Sequence, residues 1–261
     1  KTASLHSEYK MLDNKLRLVA GFSVNKFNHP DTGYISYEFA ATYRLNKKQL
    51  IRAVFSRAPR SSNIFDTYAT KTLAYYPTGI RNYTRLALEG NENTRLLTSD
   101  MLELGYRAYI TPALNVDVEV FDINAKNYNT PVSSRPYTQL NGTDTILIQP
   151  VRSTNIPLTL QQLGITVSLA WTTKKIYLKP FITIQHTTAK NYAPFANTAD
   201  AGSPGASQNN IYSGMGNSAT LKSTPAVFGG ASFNYALTQK VNINLSAYYY
   251  SAQTYYHISN I

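Results

Sequence analysis

The side chains best suited to binding a ligand lie in one long polar stretch, residues 57–98. It combines guanidinium groups, which form paired hydrogen bonds to anionic oxygens, with tyrosine rings, which offer flat aromatic faces. The whole chain holds 25 Lys plus Arg against 14 Asp plus Glu. We therefore expect an anionic or catecholate-like ligand here. The candidate ligand-binding residues are Arg57, Arg60, Tyr68, Tyr75, Tyr76, Arg81 and Tyr83, with Arg85 and Arg95 as further cations in the same stretch.

The same composition has two other interpretations. A solvated loop whose basic residues contact lipopolysaccharide phosphates would look alike, because it too needs cations beside amphipathic rings. Basic residues interleaved with aromatics also occur in proteins that bind single-stranded nucleic acid. The strands described below are of the membrane type, so we expect no nucleic-acid partner.

Catalytic and metal-binding patterns are weak. Asp117 and Glu119 share one face of a predicted strand and could act as paired carboxylates. Glu103 and Arg107 lie across a tight turn from them, so a charge ladder is the simpler interpretation. The sequence has no Cys, no G-x-S-x-G and no phosphate-binding loop, and its four histidines lie far apart at His6, His29, His186 and His257. We predict no enzyme activity, no metal site and no cofactor.

The elements that must position these residues are β-strands. Apolar and polar residues alternate along most of the chain, as in residues 101–110, where every second residue from Leu102 to Ile110 is apolar. We count about ten strands in about five hairpins, each strand long enough to cross a bilayer at a tilt. No stretch of about 18 apolar residues exists, which excludes a transmembrane helix.

The connections between strands are alternately short and long. Short turns lie near Asp13, Lys47, Pro112, Thr173 and Gln239, and long polar connections span 57–98, 129–157 and 188–224. This alternation is typical of a transmembrane antiparallel up-and-down β-barrel, whose short turns face the periplasm and whose long loops face the outside. A soluble sandwich has no reason to keep its short turns at one end.

The two faces of the predicted strands differ in kind. The polar face is rich in Gly, Ser, Thr and Asn, as the bore of a barrel would be. The apolar face carries tyrosines near its ends, at Tyr9, Tyr34, Tyr43 and Tyr235, which is typical of the aromatic girdles at a membrane interface. The charged residues predicted to face the lumen are Arg17, Glu38, Arg44, Arg52, Glu103, Arg107, Asp117 and Glu119.

Two motifs resemble the barrels of TonB-dependent outer-membrane receptors. Residues 90–107, "GNENTRLLTSDMLELGYR", are similar to the family signature "GNPNLKPETSDSYELGYR". The chain departs from that signature at Glu92, Thr94, Leu96 and Leu97. Residues 51–66, "IRAVFSRAPRSSNIFD", look like the family's strand ending "R-x-x-Y-S-R-x-F-R-A-P-S", at the usual distance before the first motif.

This resemblance implies a partial barrel. Such receptors have an N-terminal plug, a periplasmic box that engages TonB and about twenty-two strands. Residues 1–261 would then be one C-terminal portion, about ten strands, lacking the plug and the last strands, since the chain ends at "HISNI".

The resemblance also implies a function in the bacterial outer membrane. We expect active transport energised by TonB through a plug that is not in this chain, and contacts with outer-membrane lipid and lipopolysaccharide. The cargo would be a scarce nutrient, first a ferric siderophore, with haem, cobalamin or an oligosaccharide as further candidates.

Two other classes of protein stay open from the sequence. One is a smaller, self-contained outer-membrane barrel that acts as a pore or an enzyme. The other is a soluble β protein that binds sugars or other chains. Extraction without detergent would indicate the soluble class.

Overall fold

The computed structural model describes residues 1–28, 31–62, 64–191 and 218–253. It is built almost entirely of strands. These are β1 (Thr2–Met11), β2 (Leu16–Lys26), β3 (Gly33–Asn46), β4 (Gln49–Arg60), β5 (Thr70–Gly79), β6 (Asn82–Glu89), β7 (Leu97–Thr111), β8 (Leu114–Lys126), β9 (Asn129–Ser133), β10 (Tyr137–Asn141), β11 (Asp144–Asn155), β12 (Thr159–Thr172), β13 (Ile176–Lys190), β14 (Ser218–Thr220), β15 (Val227–Ala236) and β16 (Asn242–Tyr250). One short helix, α1 (Ile64–Tyr68), precedes β5. None of the described helical segments has the length and apolarity to span a membrane.

Ten strands form the main sheet, in the order β1-β2-β3-β4-β7-β8-β12-β13-β15-β16, with β14 added beside β13. All of its pairs are antiparallel, and the five predicted hairpins are all present, as β1–β2, β3–β4, β7–β8, β12–β13 and β15–β16. The predictions of an all-β class and of about ten strands are therefore confirmed. Within the described residues β1 and β16 do not pair with each other, so the sheet is open.

Short polar side chains close the tight turns. Thr111, Thr173 and Thr238 each accept hydrogen bonds at Oγ1 from the backbone N–H groups two and three residues later, at 3.0 to 3.3 Å. Asn46 does the same with its Oδ1 for the N–H of Lys48, at 2.8 Å. These side chains stabilise the turn locally, which is why the turns could be placed from sequence.

The main sheet has one apolar and one polar face. A cross-strand row on the apolar face runs through Ala53, Leu104, Val120, Ile165 and Ile184. In this row Leu104 is 55% exposed and Ile184 53%. A continuous band of exposed apolar side chains is unfavourable in water. The adjacent row on the opposite, polar face begins with Val54 and Glu103.

The long connections also contain strands. From 57–98 come β5 and β6, and from 129–157 come β9, β10 and β11; together they form a second sheet in the order β10-β11-β6-β5, with β9 beside β11. Strands β6 and β11 pair in parallel, which joins the two connections. Ala87, Ile146 and Ile148 form the buried core of this sheet. Of the third connection, 188–224, residues 192–217 lie outside the described residues, as do His29 and the terminal segment with His257.

Candidate functional site

The polar face of the main sheet carries a network of ion pairs at its centre. Arg52 on β4 donates through Nε to Glu103 of β7 at 2.9 Å, and through Nη2 to Glu119 of β8. Farther along the same face, Arg107 donates through Nε to Asp117 at 2.7 Å. Five of the eight residues predicted to face the lumen thus lie together on three adjacent strands, β4, β7 and β8.

The other three predicted lumen residues lie away from this network. Arg17 is paired with Glu8 of β1, 2.6 Å from Nη2 to Oε2, and this partner was not among the predicted residues. Glu38 and Arg44 make no salt bridge within the part of the chain that the structure describes. The two carboxylates considered for acid–base work, Asp117 and Glu119, each contact a guanidinium group. Each carboxylate is therefore engaged with a cation of a neighbouring strand, which favours a charge ladder over paired acid–base catalysis.

Gly105 explains how Arg52 reaches Glu119. These three residues lie in one cross-strand row, with Gly105 in the middle. A Cβ atom at Gly105 would come within 2.8 Å of Arg52 Cγ and 2.9 Å of its Nε. The absent side chain lets the arginine lie across β7. The segment E-L-G-Y-R of the resembling motif therefore supplies one carboxylate at Glu103 and a passage for a neighbouring cation at Gly105.

A second glycine on the polar face follows the same rule. Gly164 on β12 lies directly beside Phe121 of β8, and a Cβ there would come within 2.3 Å of the ring carbon Cζ. Small residues on this face thus make room for large side chains from the next strand. The sequence showed the glycines, but only the register shows what lies over them.

Two of the predicted ligand-binding residues are brought into contact in the second sheet. The rings of Tyr75 and Tyr83 are stacked, with centroids 5.3 Å apart and planes at 13°. Directly opposite Tyr75 on β6 is Arg85. Arg85 has no ion pair among the described residues, and its Nε atom is buried without a hydrogen-bond partner. This cation and the two stacked rings share one face of the sheet.

From the sequence, Arg85 was predicted only as a further cation of the stretch 57–98. The signal that could have placed it beside the rings is the spacing Tyr83-x-Arg85, since residues two apart in a strand share a face. The position of Tyr75 opposite Arg85 was hidden, because β5 is irregular, with register shifts between Thr72 and Ala74 and between Pro77 and Gly79. Two β-bulges in one strand destroy the alternation that identifies a strand.

The remaining predicted ligand-binding residues are dispersed. Arg57 lies on the apolar face of the main sheet, where its Nη2 donates to Asp100 at 2.8 Å and its guanidinium carbon is 5.8 Å from the ring centroid of Tyr37. Arg60 is the last residue of β4. Tyr68 in α1 donates its hydroxyl to the carbonyl of Asn28 at 3.2 Å.

Tyr76 and Arg81 belong to the second sheet but not to the stacked pair. Tyr76 is opposite Thr84 and therefore faces away from Tyr75. Arg81 is in the turn between β5 and β6, with φ of 56°, and its carbonyl accepts the N–H of Thr145 at 2.7 Å. Of the seven predicted residues, only Tyr75 and Tyr83 thus form a common surface.

A small apolar cluster connects the second sheet to the main sheet. Ile156, Leu158 and Ala189 are buried, and Tyr128 packs against them. Burial raises the pKa of Tyr128 above its ordinary value of 10.0, while nearby Arg60 acts in the opposite direction. The phenol is therefore held neutral. Across the described ranges, no group of three or more His, Cys, Asp or Glu residues could hold a metal ion.

No protein-family model matches the sequence, and no curated protein matches it. Solved structures do match its fold. The siderophore receptor PirA from Acinetobacter baumannii has a TM-score of 0.62 at 16% identity, covering 97% of this chain and 34% of its own. A mutant of the ferric enterobactin receptor PfeA from Pseudomonas aeruginosa, in complex with enterobactin, has 0.63 at 16%, covering 97% and 33%.

A third match is the alcaligin outer-membrane receptor FauA from Bordetella pertussis, with a TM-score of 0.53 at 15% identity, covering 96% of this chain and 37% of its own. The chain thus spans about a third of the length of each of these receptors. At such identities the likeness establishes the fold. The predicted fold, antiparallel strands that form part of a larger β-barrel, is confirmed.

Proposed function

We propose that this chain forms part of the barrel wall of a TonB-dependent receptor in the bacterial outer membrane, and that the receptor takes up a ferric siderophore. One observation carries the proposal: a band of exposed apolar side chains crosses an antiparallel sheet whose opposite face carries paired charges. The likeness to three outer-membrane receptors supports the same conclusion.

In this proposal the apolar face contacts the hydrocarbon of the membrane. Strands satisfy their backbone hydrogen bonds with one another, so the exposed Leu104 and Ile184 need only an apolar solvent. The short turns face the periplasm. The connections 57–98, 129–157 and 188–224 are extracellular, which places the second sheet outside the cell.

The polar face lines the bore. Arg52, Glu103 and Glu119 already satisfy one another, so they offer a plug domain a fixed pattern of charge with little left to reorganise. We place Arg107 and Asp117 on the same path. The plug itself and TonB would act from parts of the receptor outside this chain.

The ligand contact lies in the second sheet. Arg85 supplies a cation without a partner among the described residues, and Tyr75 and Tyr83 supply stacked rings beside it. A ferric catecholate combines negative charge with flat aromatic rings, so this face suits it on both counts. Arg57 makes its charge–charge contact with Asp100 instead, and we assign it no role in ligand capture.

Uptake measurements test this function. A strain lacking the full-length protein is complemented with wild type, with Arg85→Gln or with Lys71→Gln, and the cells are given radiolabelled ferric enterobactin. Lys71 is the matched control, because it lies in the same sheet on the opposite face and carries the same charge. In Arg85→Gln, loss of one charge-assisted contact of about 1.5 kcal/mol should raise the chelate concentration that gives half-maximal uptake by about tenfold. Lys71→Gln should leave that concentration unchanged.

Two results would contradict the proposal at different levels. If wild type restores uptake, but Arg85→Gln and Lys71→Gln reach half-maximal uptake at the same chelate concentration, the assigned contact is wrong while the transport function stands. If wild type restores uptake of no ferric chelate tested, and the protein fractionates away from the outer membrane, the function itself is wrong.

A further inference from the structure

A groove of about 540 Å³ lies on the apolar side of the main sheet, at the end where the long connections leave. Its floor includes Ile35, Arg57, Pro59, Thr98 and Lys126. The register places Arg57 and Pro59 on the same face as Phe55, and Thr98 and Lys126 on the same face as Leu102. The groove therefore opens on the outside of the wall and not into the bore.

The side of the groove is a segment held firmly in place, residues 92–96. Asn155 of the second sheet holds Arg95 by its backbone, donating through Nδ2 to the carbonyl at 3.0 Å and accepting the N–H at Oδ1. Asn127 Nδ2 and Thr98 Oγ1 both donate to the carbonyl of Leu96 at 3.2 Å. Leu96 is itself buried. The backbone at Arg95 is thus held in place before any ligand arrives, and its side chain is exposed at the groove.

The charges in the groove favour an anion. Arg57 is fully engaged with Asp100, and Lys126 approaches Asp100 only at 3.9 Å. Arg95 makes no salt bridge within the described ranges. Asp31 is compensated by Lys26 at 3.0 Å, which leaves Glu92 as the one lining carboxylate without a salt bridge in the described part of the chain. Two cations, Arg95 and Lys126, are therefore available to a ligand.

The surface directly next to the groove is apolar. Ile35 is 56% exposed and Leu102 49%, and both belong to the band assigned to the hydrocarbon. A ligand in the groove thus contacts cations at one end and exposed apolar side chains at the other. We infer that the groove of Arg95 and Lys126 binds the phosphorylated sugar headgroup of an outer-leaflet glycolipid, with its acyl chains lying along Ile35 and Leu102. This inference rests on the proposed membrane orientation.

Lipid binding to the full-length protein tests the inference. The protein is placed in nanodiscs, and native mass spectrometry measures retention of bisphosphorylated lipid A and of the same lipid without phosphates. A cation near a membrane surface contributes about fivefold to binding an anionic lipid. Arg95→Gln and Lys126→Gln should therefore each weaken retention of lipid A about fivefold, and the phosphate-free lipid should be retained weakly by every variant.

Two further variants sharpen the test. Lys175→Gln removes an equal charge from a short turn at the other end of the sheet and should leave retention unchanged. Glu92→Gln should strengthen retention, because it removes the uncompensated negative charge beside the phosphate. A Glu92→Gln variant with weaker retention would overturn the inference, since the carboxylate would then be holding a bridging cation.

The outcomes separate this inference from the proposed function. Equal retention by wild type, Arg95→Gln and Lys126→Gln would overturn the groove site, while uptake of ferric enterobactin by all three would keep the receptor function. Extraction of the protein without detergent would overturn both the groove site and the receptor function, because the apolar face would then be exposed to water.

Discussion

Replacing Gly105 with alanine tests the passage through which Arg52 reaches Glu119. The new Cβ would lie 2.8 Å from Arg52 Cγ, and ordinary contact begins at 3.4 Å, so the arginine must move. Because the clash involves Cγ, near the root of the side chain, the guanidinium cannot stay in place while the chain bends around the methyl group. We expect the bond to Glu119 to be lost and the bond to Glu103 to be weakened.

The expected cost follows from three contributions. Overpacking at a well-filled position costs about 1–3 kcal/mol. Loss of the ion pair adds less than a buried pair would, because 26% of the Arg52 side chain and 31% of the Glu119 side chain are exposed. Alanine offsets part of this, since it is favoured over glycine within a strand by about 0.5–1 kcal/mol. We expect a net destabilisation of about 1–2 kcal/mol.

The assay is urea unfolding of the full-length protein in lipid vesicles, followed by the shift in gel mobility between folded and unfolded barrel. The midpoint should fall with no change in slope. Gly21→Ala is the matched control, because a Cβ on Gly21, also in a strand of the main sheet, meets nothing within 4 Å. That variant should be as stable as wild type or slightly more stable.

A double-mutant cycle isolates the clash from other effects of the methyl group. In an Arg52→Ala background there is no guanidinium to displace, so Gly105→Ala should cost nothing further. If Gly105→Ala costs the same in both backgrounds, or if Gly21→Ala is equally harmful, then Gly105 is not a passage for Arg52 and the reasoning is wrong.

Two further predictions concern the faces of the sheet and the cluster between the sheets. Leu104→Arg places a charge on the apolar face and should destabilise the barrel by about 2–4 kcal/mol if residue 104 lies at the middle of the bilayer. Val54→Arg places the same charge on the polar face and should cost much less. Equal losses of unfolding free energy in vesicles would contradict the assignment of the two faces. Because the pKa of Tyr128 is raised in the folded state, its contribution to stability is complete below 10.0 and is lost as pH rises through the higher folded value. Unfolding midpoints should therefore fall with pH above 10.0 more steeply in wild type than in Tyr128→Phe, and parallel slopes would show that the phenol is not buried.

Strands with regular alternation could be predicted because their signal is local. In β7 and β8 the period of two appears within ten residues, and Thr111 marks the turn between them by its own hydrogen bonds. The same alternation assigns Glu103 and Arg107 to one face without knowledge of any partner strand. Strand β4 was foreseen as well, but it extends to Arg60, so Arg57, predicted as a loop residue, is part of its apolar face.

The second sheet could not be predicted because its signal is neither local nor regular. Its central pair, β6 and β11, is parallel and joins residues far apart in the chain, such as Arg85 and Ile148. Bulges in β5 remove the alternation there. The contact of Tyr75 with Tyr83 depends on that irregular register, so no reading of the polar stretch by itself could select these two tyrosines from the others.

The sequence by itself determined the class of the fold, the hairpins and the side of the sheet on which each regular strand residue lies, because a period of two is a property of consecutive residues. The tertiary structure decided which charges meet, which glycine makes room for which side chain, and which cations lie beside the stacked rings or beside the apolar face. Those outcomes depend on the register between strands distant in sequence, because a shift of one residue would place another residue of β7 opposite Arg52 in place of Gly105.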